Sequence, residues 1–281
     1  MKSLSFLLIL TLCAATCFAQ TKADSLKAAA IFNRSKDAYA HLKTYTDSGK
    51  VIRTMITEHT SKTAMIFKTA YTNAGDFNFD GYKEGQSNSL YTVNRTANTT
   101  KTWWGITDKE TNATNITNAM AGTVGALSGN TTVIPQLLMP SDFKGLNVFR
   151  GLKQCSLVGD EKINGKDCYI IKGERISGVA KIWIAKSDFL IRKIESESIV
   201  NPAKTEASLR QAIAVGKTRG LNYSNLEDAL KTYHEIGVRD SLSGHPRRQF
   251  TVKESYVIVP VTDHKINPVL LKYRPNREVA L

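Results

Sequence analysis

The chain has 281 residues, 38 Lys and Arg against 25 Asp and Glu for a formal net charge of +13, and 42% hydrophobic residues. That hydrophobic share suits a packed core and excludes a disordered or low-complexity protein. The cations are spread along the chain instead of forming a stripe among aromatic residues, which argues against nucleic-acid binding. Diffuse basicity fits contact with an anionic membrane surface, and equally a merely soluble basic surface.

Residues 1–20 read as a cleaved export signal. Met1-Lys2-Ser3 is a short basic start, Leu4 to Ala15 is an apolar run too short for a good membrane span, and Ala19-Gln20 offers a small residue at the cleavage point. Neither Cys13 nor Cys17 has both the preceding leucine and the adjacent small residue that a lipidated signal prefers, so a periplasmic protein is expected over a lipid-anchored one. Cleavage leaves about 260 residues, enough for one large all-β or α+β domain over 21–281.

A helix is predicted over Asp24–Leu42, with Leu26, Ala30, Ile31, Tyr39 and Leu42 on one side. Strands follow at Ser48–Glu58, Thr63–Thr72, Asp76–Lys83, Ser89–Asn94 and Thr99–Ile106, punctuated by Gly, Asn and Ser. Residues 109–129 predict a weakly amphipathic helix whose alanines and glycines let it lie close to a sheet. The apolar VIPQLLMP (133–140) reads as a proline-bracketed connection. Strands resume at Lys153–Asp160, Asp167–Glu174 and a hairpin over Val179–Ile194, then a helical insertion at about 200–235, capped internally near Asn225, and strands at Arg248–Val261 and Pro268–Tyr273.

The hairpin VAKIWIAKSDFLIRKI is apolar on both faces: Val179, Trp183 and Ala185 alternate with Ile182 and Ile184. Such a hairpin either lines a greasy hollow or is covered on both sides by protein. An Asn164-Gly165 turn would set Cys168 opposite Glu161 and Cys155 opposite Glu174, too far apart for a disulfide, whereas a wider turn would allow the pairing.

Catalytic and metal motifs fail on inspection. There is no GxSxG, HExxH or CxxC, and the five histidines lack ligand spacing. Gly216-Lys217-Thr218 has Gln211 where a phosphate loop needs its leading glycine. The calcium-loop lookalike DFNFDGYKEGQS (76–87) ends in Ser87 where a bidentate glutamate belongs, and its Phe77, Phe79 and Tyr82 read better as a strand. Nothing in the sequence calls for a cofactor, and the chain reads as a non-enzyme.

The segments AYAHLKTYTDSGKV (38–51), DFNFDGY (76–82), GDEKINGKDCYIIKG (159–173) and KIWIAKSDFLIRKIES (181–196) resemble the LolA/LolB-like superfamily of periplasmic lipoprotein carriers, in particular its lipoprotein-sorting (DUF2092-like) branch. The resemblance implies an α+β fold: a strongly curved antiparallel sheet, an incomplete β-barrel, with helices lidding its concave side over an apolar cavity. It implies an exported carrier or sensor whose partners are acyl chains of a lipid or lipoprotein. Phe77, Phe79, Trp103, Trp104, Leu137, Leu138, Phe143 and Trp183 are the expected walls and gate of that cavity. The alternative is an envelope interaction module with a filled barrel. The family's functional basic residue has two candidates, Arg53 and Arg192.

Overall fold

A computed structural model describes residues 23–96, 99–143, 149, 151–175, 178–218, 227, 230–231, 234, 249–273 and 275. The expected signal, residues 1–20, lies outside them, as does the expected cap at Asn225.

Eleven strands form one open sheet: β1 (Thr44–Ile56), β2 (Thr60–Thr72), β3 (Phe77–Lys83), β4 (Ser89–Thr96), β5 (Thr99–Trp104), β6 (Lys109–Ala113), β7 (Lys153–Ile163), β8 (Lys166–Arg175), β9 (Gly178–Ala185), β10 (Ile191–Val200) and β11 (Phe250–Thr262). Their order is β6-β5-β4-β3-β2-β1-β11-β10-β9-β8-β7, antiparallel, curved and unclosed, with β6 and β7 at the edges. Helix α1 covers 23–40, α2 Ile116–Ala126, α3 Val133–Leu138 and α4 Pro202–Thr218, giving the expected α+β class.

The described chain divides into two units. The first comprises the residues up to Arg53, Thr63–Ser196 and those from Glu254 onward; the second comprises Thr54–Lys62 and Glu197–Lys253. Within the second, α4 is the first half of the predicted helical insertion, and Lys217 pairs with Glu227 at 3.3 Å.

In the first unit the strand period assigns the faces. Tyr45 and Val51 on β1, Met65 and Phe67 on β2, Phe77 and Phe79 on β3, and Tyr91 and Val93 on β4 recur at every second residue and join one core cluster. The same cluster takes Ile171 from β8, Ile182 and Ile184 from β9, Ile194 from β10, and Tyr256 and Ile258 from β11. Helices α1, α2 and α3 contribute Phe32 and Tyr39, Ile116 and Met120, and Ile134 and Leu137. The core is therefore the layer between this sheet face and the helices.

Several local expectations need correction. On α1 the buried stripe is Ala28, Ile31, Phe32, Ser35 and Tyr39, while Leu26 is 65% exposed and Ala30 is exposed too; the stripe turns because Phe32 stacks on Phe149 at 4.0 Å. Residues 109–113 are an edge strand, and α2 starts only where Asn115 accepts a hydrogen bond from the Asn118 N–H. VIPQLLMP is mostly helical: Pro135 is the third residue of α3, where a missing N–H breaks no helical bond. Pro268–Leu271 is a 3-10 turn, not a strand, opened by Pro268 and capped by Asn267 Oδ1 accepting from the Val269 N–H at 3.0 Å.

The Asn164-Gly165 turn is present, both residues at positive φ, and Cys168 pairs with Glu161 as predicted. Cys155 falls in a register shift between Lys153 and Ser156 instead of opposite Glu174. Both cysteines are free.

Candidate functional site

The region with the most functional potential is the helix layer of residues 116–143 and the sheet face beneath it. Close approach of α2 depends on small residues: a Cβ on Gly122 would lie 2.1 Å from the Tyr91 hydroxyl oxygen, and one on Gly81 of β3 would lie 2.5 Å from a Leu127 methyl. Tyr91 donates to the Ala119 carbonyl at 2.9 Å, so α2 is fixed to β4 by a packed and hydrogen-bonded seat.

Beyond α2, polar attachments gather at two places. At the first, Ser128 Oγ and Asn130 Nδ2 donate to Glu254 Oε2 at 2.8 and 3.3 Å, and Asn130 Nδ2 also approaches Ser196 Oγ at 3.2 Å. Arg53 Nε donates to the other oxygen of Glu254 at 2.8 Å, and Arg175 Nη2 donates to Asn130 Oδ1 at 3.3 Å. Burial pulls the Arg175 guanidinium down from its ordinary pKa, against the attraction of Glu254. At the second place Arg95 Nη1 on β4 meets Asp142 Oδ2 at 2.7 Å and approaches Met139 Sδ at 3.8 Å.

Helix α3 lies in sequence between these attachments. It has six residues, of which Val133, Ile134, Pro135, Leu137 and Leu138 are buried, and its N-cap Thr132 makes no side-chain capping bond. A helix this short has little stability of its own, so packing holds it in place. Its side chains fill hydrocarbon space between two polar pins.

Six of the eight predicted wall residues come together here. Phe77, Phe79, Leu137, Leu138 and Phe143 are members of the core cluster, and Trp104 packs against it edge-on to Tyr91 at 5.3 Å. Trp103 and Trp183 are not brought in. Trp103 alternates with Trp104 and donates to Asp108 Oδ1 at 3.0 Å. Trp183 belongs to a separate cluster with Ile163, Cys168 and Ala185, donates to Glu161 Oε2 at 2.7 Å, and carries Lys193 over its ring at 4.5 Å. This second cluster explains the doubly apolar hairpin: Ile182 and Ile184 face the main core, while Trp183 and Ala185 build a smaller one on the opposite sheet face.

Of the two basic candidates, Arg53 reaches the helix layer through Glu254. Arg192, 5% exposed, pairs with Asp188 at 2.5 Å, and among the described residues its Nη1 has no hydrogen-bond partner. The residues missed in the sequence are Glu254, Ser128, Asn130 and Arg175; each is ordinary in type, and only the fold brings them together across 126 and 45 positions.

The core also holds a polar group that apolar periodicity does not reveal. Asp47 on β1 is buried beside Tyr45, whose hydroxyl donates to it at 2.8 Å. Burial pushes its carboxyl up to about 6, more than hydrogen bonds from Thr69 and Tyr45 pull it down. Among the described residues no group of three or more His, Cys, Asp or Glu side chains could hold a metal.

The fold and site together define an α+β protein with an open antiparallel sheet and an apolar layer under a pinned helical segment. No protein-family model and no curated protein sequence matches the chain. Similar solved structures include an outer-membrane lipoprotein-sorting protein domain from Vibrio parahaemolyticus, at 10% identity, 63% of this chain, 78% of that one and a TM-score of 0.29. They also include a LolA superfamily protein from Nitrosomonas europaea, at 8% identity, coverages of 88% and 97% and a TM-score of 0.30. A third is the Pseudomonas aeruginosa MucA/MucB complex, at 12% identity and a TM-score of 0.36, with 60% of this chain matched to 50% of that one.

Proposed function

We propose that this protein is an exported, periplasmic carrier or sensor that takes the acyl chain of a lipid or lipoprotein into the layer beneath α3. The observation that carries the proposal is the placement of α3: a six-residue apolar plug held between the Glu254 and Arg95 attachments. In this reading α3 occupies the hydrocarbon space when no ligand is bound, and a chain replaces its side chains when the segment lifts.

The magnitudes permit the exchange. Exposing five buried apolar side chains at about 1.5–3 kcal/mol each costs about 7–15 kcal/mol, while burying a sixteen-carbon chain at about 0.8 kcal/mol per methylene returns about 12 kcal/mol. Two terms this close leave an equilibrium that a ligand can tip. Phe77, Phe79, Trp104, Leu137, Leu138 and Phe143 would touch the chain. The superfamily resemblance of the sequence implies the same ligand class and the same compartment.

The test is uptake of a sixteen-carbon diazirine fatty acid, with the labelled residues identified by peptide mass spectrometry. Labelling within 133–143 and on the facing strands supports the proposal; saturable binding with no label there would refute it. Glu254→Gln, which weakens the acceptor for Ser128 and Asn130, should speed uptake several-fold.

A further inference from the structure

The opposite face of the sheet carries a hollow of about 390 Å³, lined by residues of β1, β2, β3, β11 and the segment after β11. That segment crosses the sheet as a strap with both ends tied. At one end Thr44 Oγ1 donates to the His264 carbonyl at 2.9 Å, and the Lys43 N–H donates to Asp263 Oδ1 at 3.0 Å. At the other, Asn94 Nδ2 donates to the Leu271 carbonyl at 2.8 Å. The hollow lies between strap and sheet.

Its walls are of two kinds. Val259 and Val261 on β11 and Val269 and Leu270 on the strap line it, and these four apolar side chains are 44–50% exposed. Lys68 and Lys272 line it too, and neither makes a salt bridge among the described residues. Two carboxylates, Asp47 and Asp80, lie in the floor. Asp80 is 7% exposed and accepts from Thr92 Oγ1 at 2.9 Å and from the Tyr82 hydroxyl, and Asp47, 5% exposed, accepts from the Tyr45 hydroxyl at 2.8 Å. Lys68 attracts Asp80 without a salt bridge and lies over the Tyr82 ring at 5.8 Å, so its ammonium stays available to an anion in the hollow. Two exposed cations beside an apolar strip, over two buried aspartates already engaged by hydroxyls, make a surface complementary to an anion with a hydrocarbon tail. At roughly 30 Å³ per small group, the volume suits roughly a dozen non-hydrogen atoms.

We infer that this hollow binds a medium-chain carboxylate, its head group between Lys68 and Lys272 and its tail along Val259, Val261, Val269 and Leu270. The site is independent of the layer beneath α3 and stands on the other side of the sheet. An eight- to twelve-carbon acid fits it; a lipid with two long chains exceeds it.

Calorimetry with decanoate, decyltrimethylammonium and decanol tests the inference on the full mature chain, alongside a diazirine decanoate label. Decanoate should bind, decyltrimethylammonium should not, and decanol should bind at least tenfold more weakly than decanoate. Lys68→Gln with Lys272→Gln should weaken decanoate at least tenfold at an unchanged melting temperature, because both side chains are exposed. The label should fall within 68–82 or 259–272. No decanoate binding, binding indifferent to the double substitution, or label confined to 133–143 would each overturn it. The last outcome would leave the acyl-carrier proposal standing, and failure of long-chain uptake would leave this site standing, so the two fail separately.

Discussion

Ser128 Oγ donates to Glu254 Oε2 at 2.8 Å, joining the end of the α2 segment to a strand 126 residues away. The same carboxylate answers Arg53 from β1, so one side chain ties three parts of the chain together. Glu254→Ala removes the acceptor and leaves Arg53 half-buried without its ion pair. The expected loss is about 2–4 kcal/mol, between a surface pair and a fully buried one. Urea unfolding checks it, and a loss below 0.5 kcal/mol, on the scale of an ordinary surface substitution, would remove Glu254 from this role.

Asp47 sets a pH dependence. Its folded carboxyl titrates at about 6 against an ordinary 3.8, so between those values the native state binds more protons than the unfolded one. The stability it contributes is present below the ordinary value and is lost as pH rises through about 6. Two pH units correspond to about 3 kcal/mol. Asp47→Asn should raise the urea midpoint at pH 7.5 and flatten the profile between pH 4 and 7. A midpoint that falls equally at pH 5 and pH 7.5 would contradict the burial argument.

The seat of α2 is steric. Gly122→Ala puts a methyl group 2.1 Å from the Tyr91 oxygen, and overpacking of this kind costs about 1–3 kcal/mol even after the gain in helix propensity. Gly129→Ala, whose nearest neighbour would be a Val124 methyl at 4.0 Å, serves as the control and should leave the melting temperature within about 2 °C, in line with near-zero cost. Equal effects at the two positions would mean that α2 is not held by close approach.

Cys155 and Cys168 should remain thiols under oxidising conditions. Cys155 lies beside Gly173 while Cys168 is five residues back along β8, a separation of about 16 Å at strand rise, well beyond disulfide reach. Burial also pushes both thiols up, which slows their reaction in the native state. Thiol titration of the mature chain, unfolded without reductant, should return two groups.

Most of the sheet was legible because a strand's period of two is a local signal. DFNFDGY, IWIA and the Asn164-Gly165 turn each announced a strand or hairpin at nearly the right place. Short or edge elements were not: Lys109–Ala113 has no apolar face to reveal it, and Pro268–Leu271 looks like a strand until Pro268 and Asn267 are seen to open a 3-10 turn. Composition pointed to Phe77, Phe79, Leu137, Leu138 and Phe143, which do cluster, but could not tell which sheet face an indole occupies. Trp103 and Trp104 differ by one residue and so point to opposite sides. The Glu254 attachment was invisible for another reason: Ser, Asn and Arg become a site only when sheet order brings β1, β8 and β11 to one helix layer.

The central claim is that hydrocarbon can replace α3 beneath its two attachments. Native mass spectrometry of the mature protein, mixed with a sixteen-carbon fatty acid and dialysed, tests it most directly when run beside Leu137→Asn with Leu138→Asn. Wild type should retain one acyl adduct per chain, and the substituted protein, folded by circular dichroism and with a weaker competing plug, should acquire it at a several-fold lower fatty-acid concentration. A wild-type spectrum with only the bare chain mass, or an adduct indifferent to both substitutions, would contradict the account.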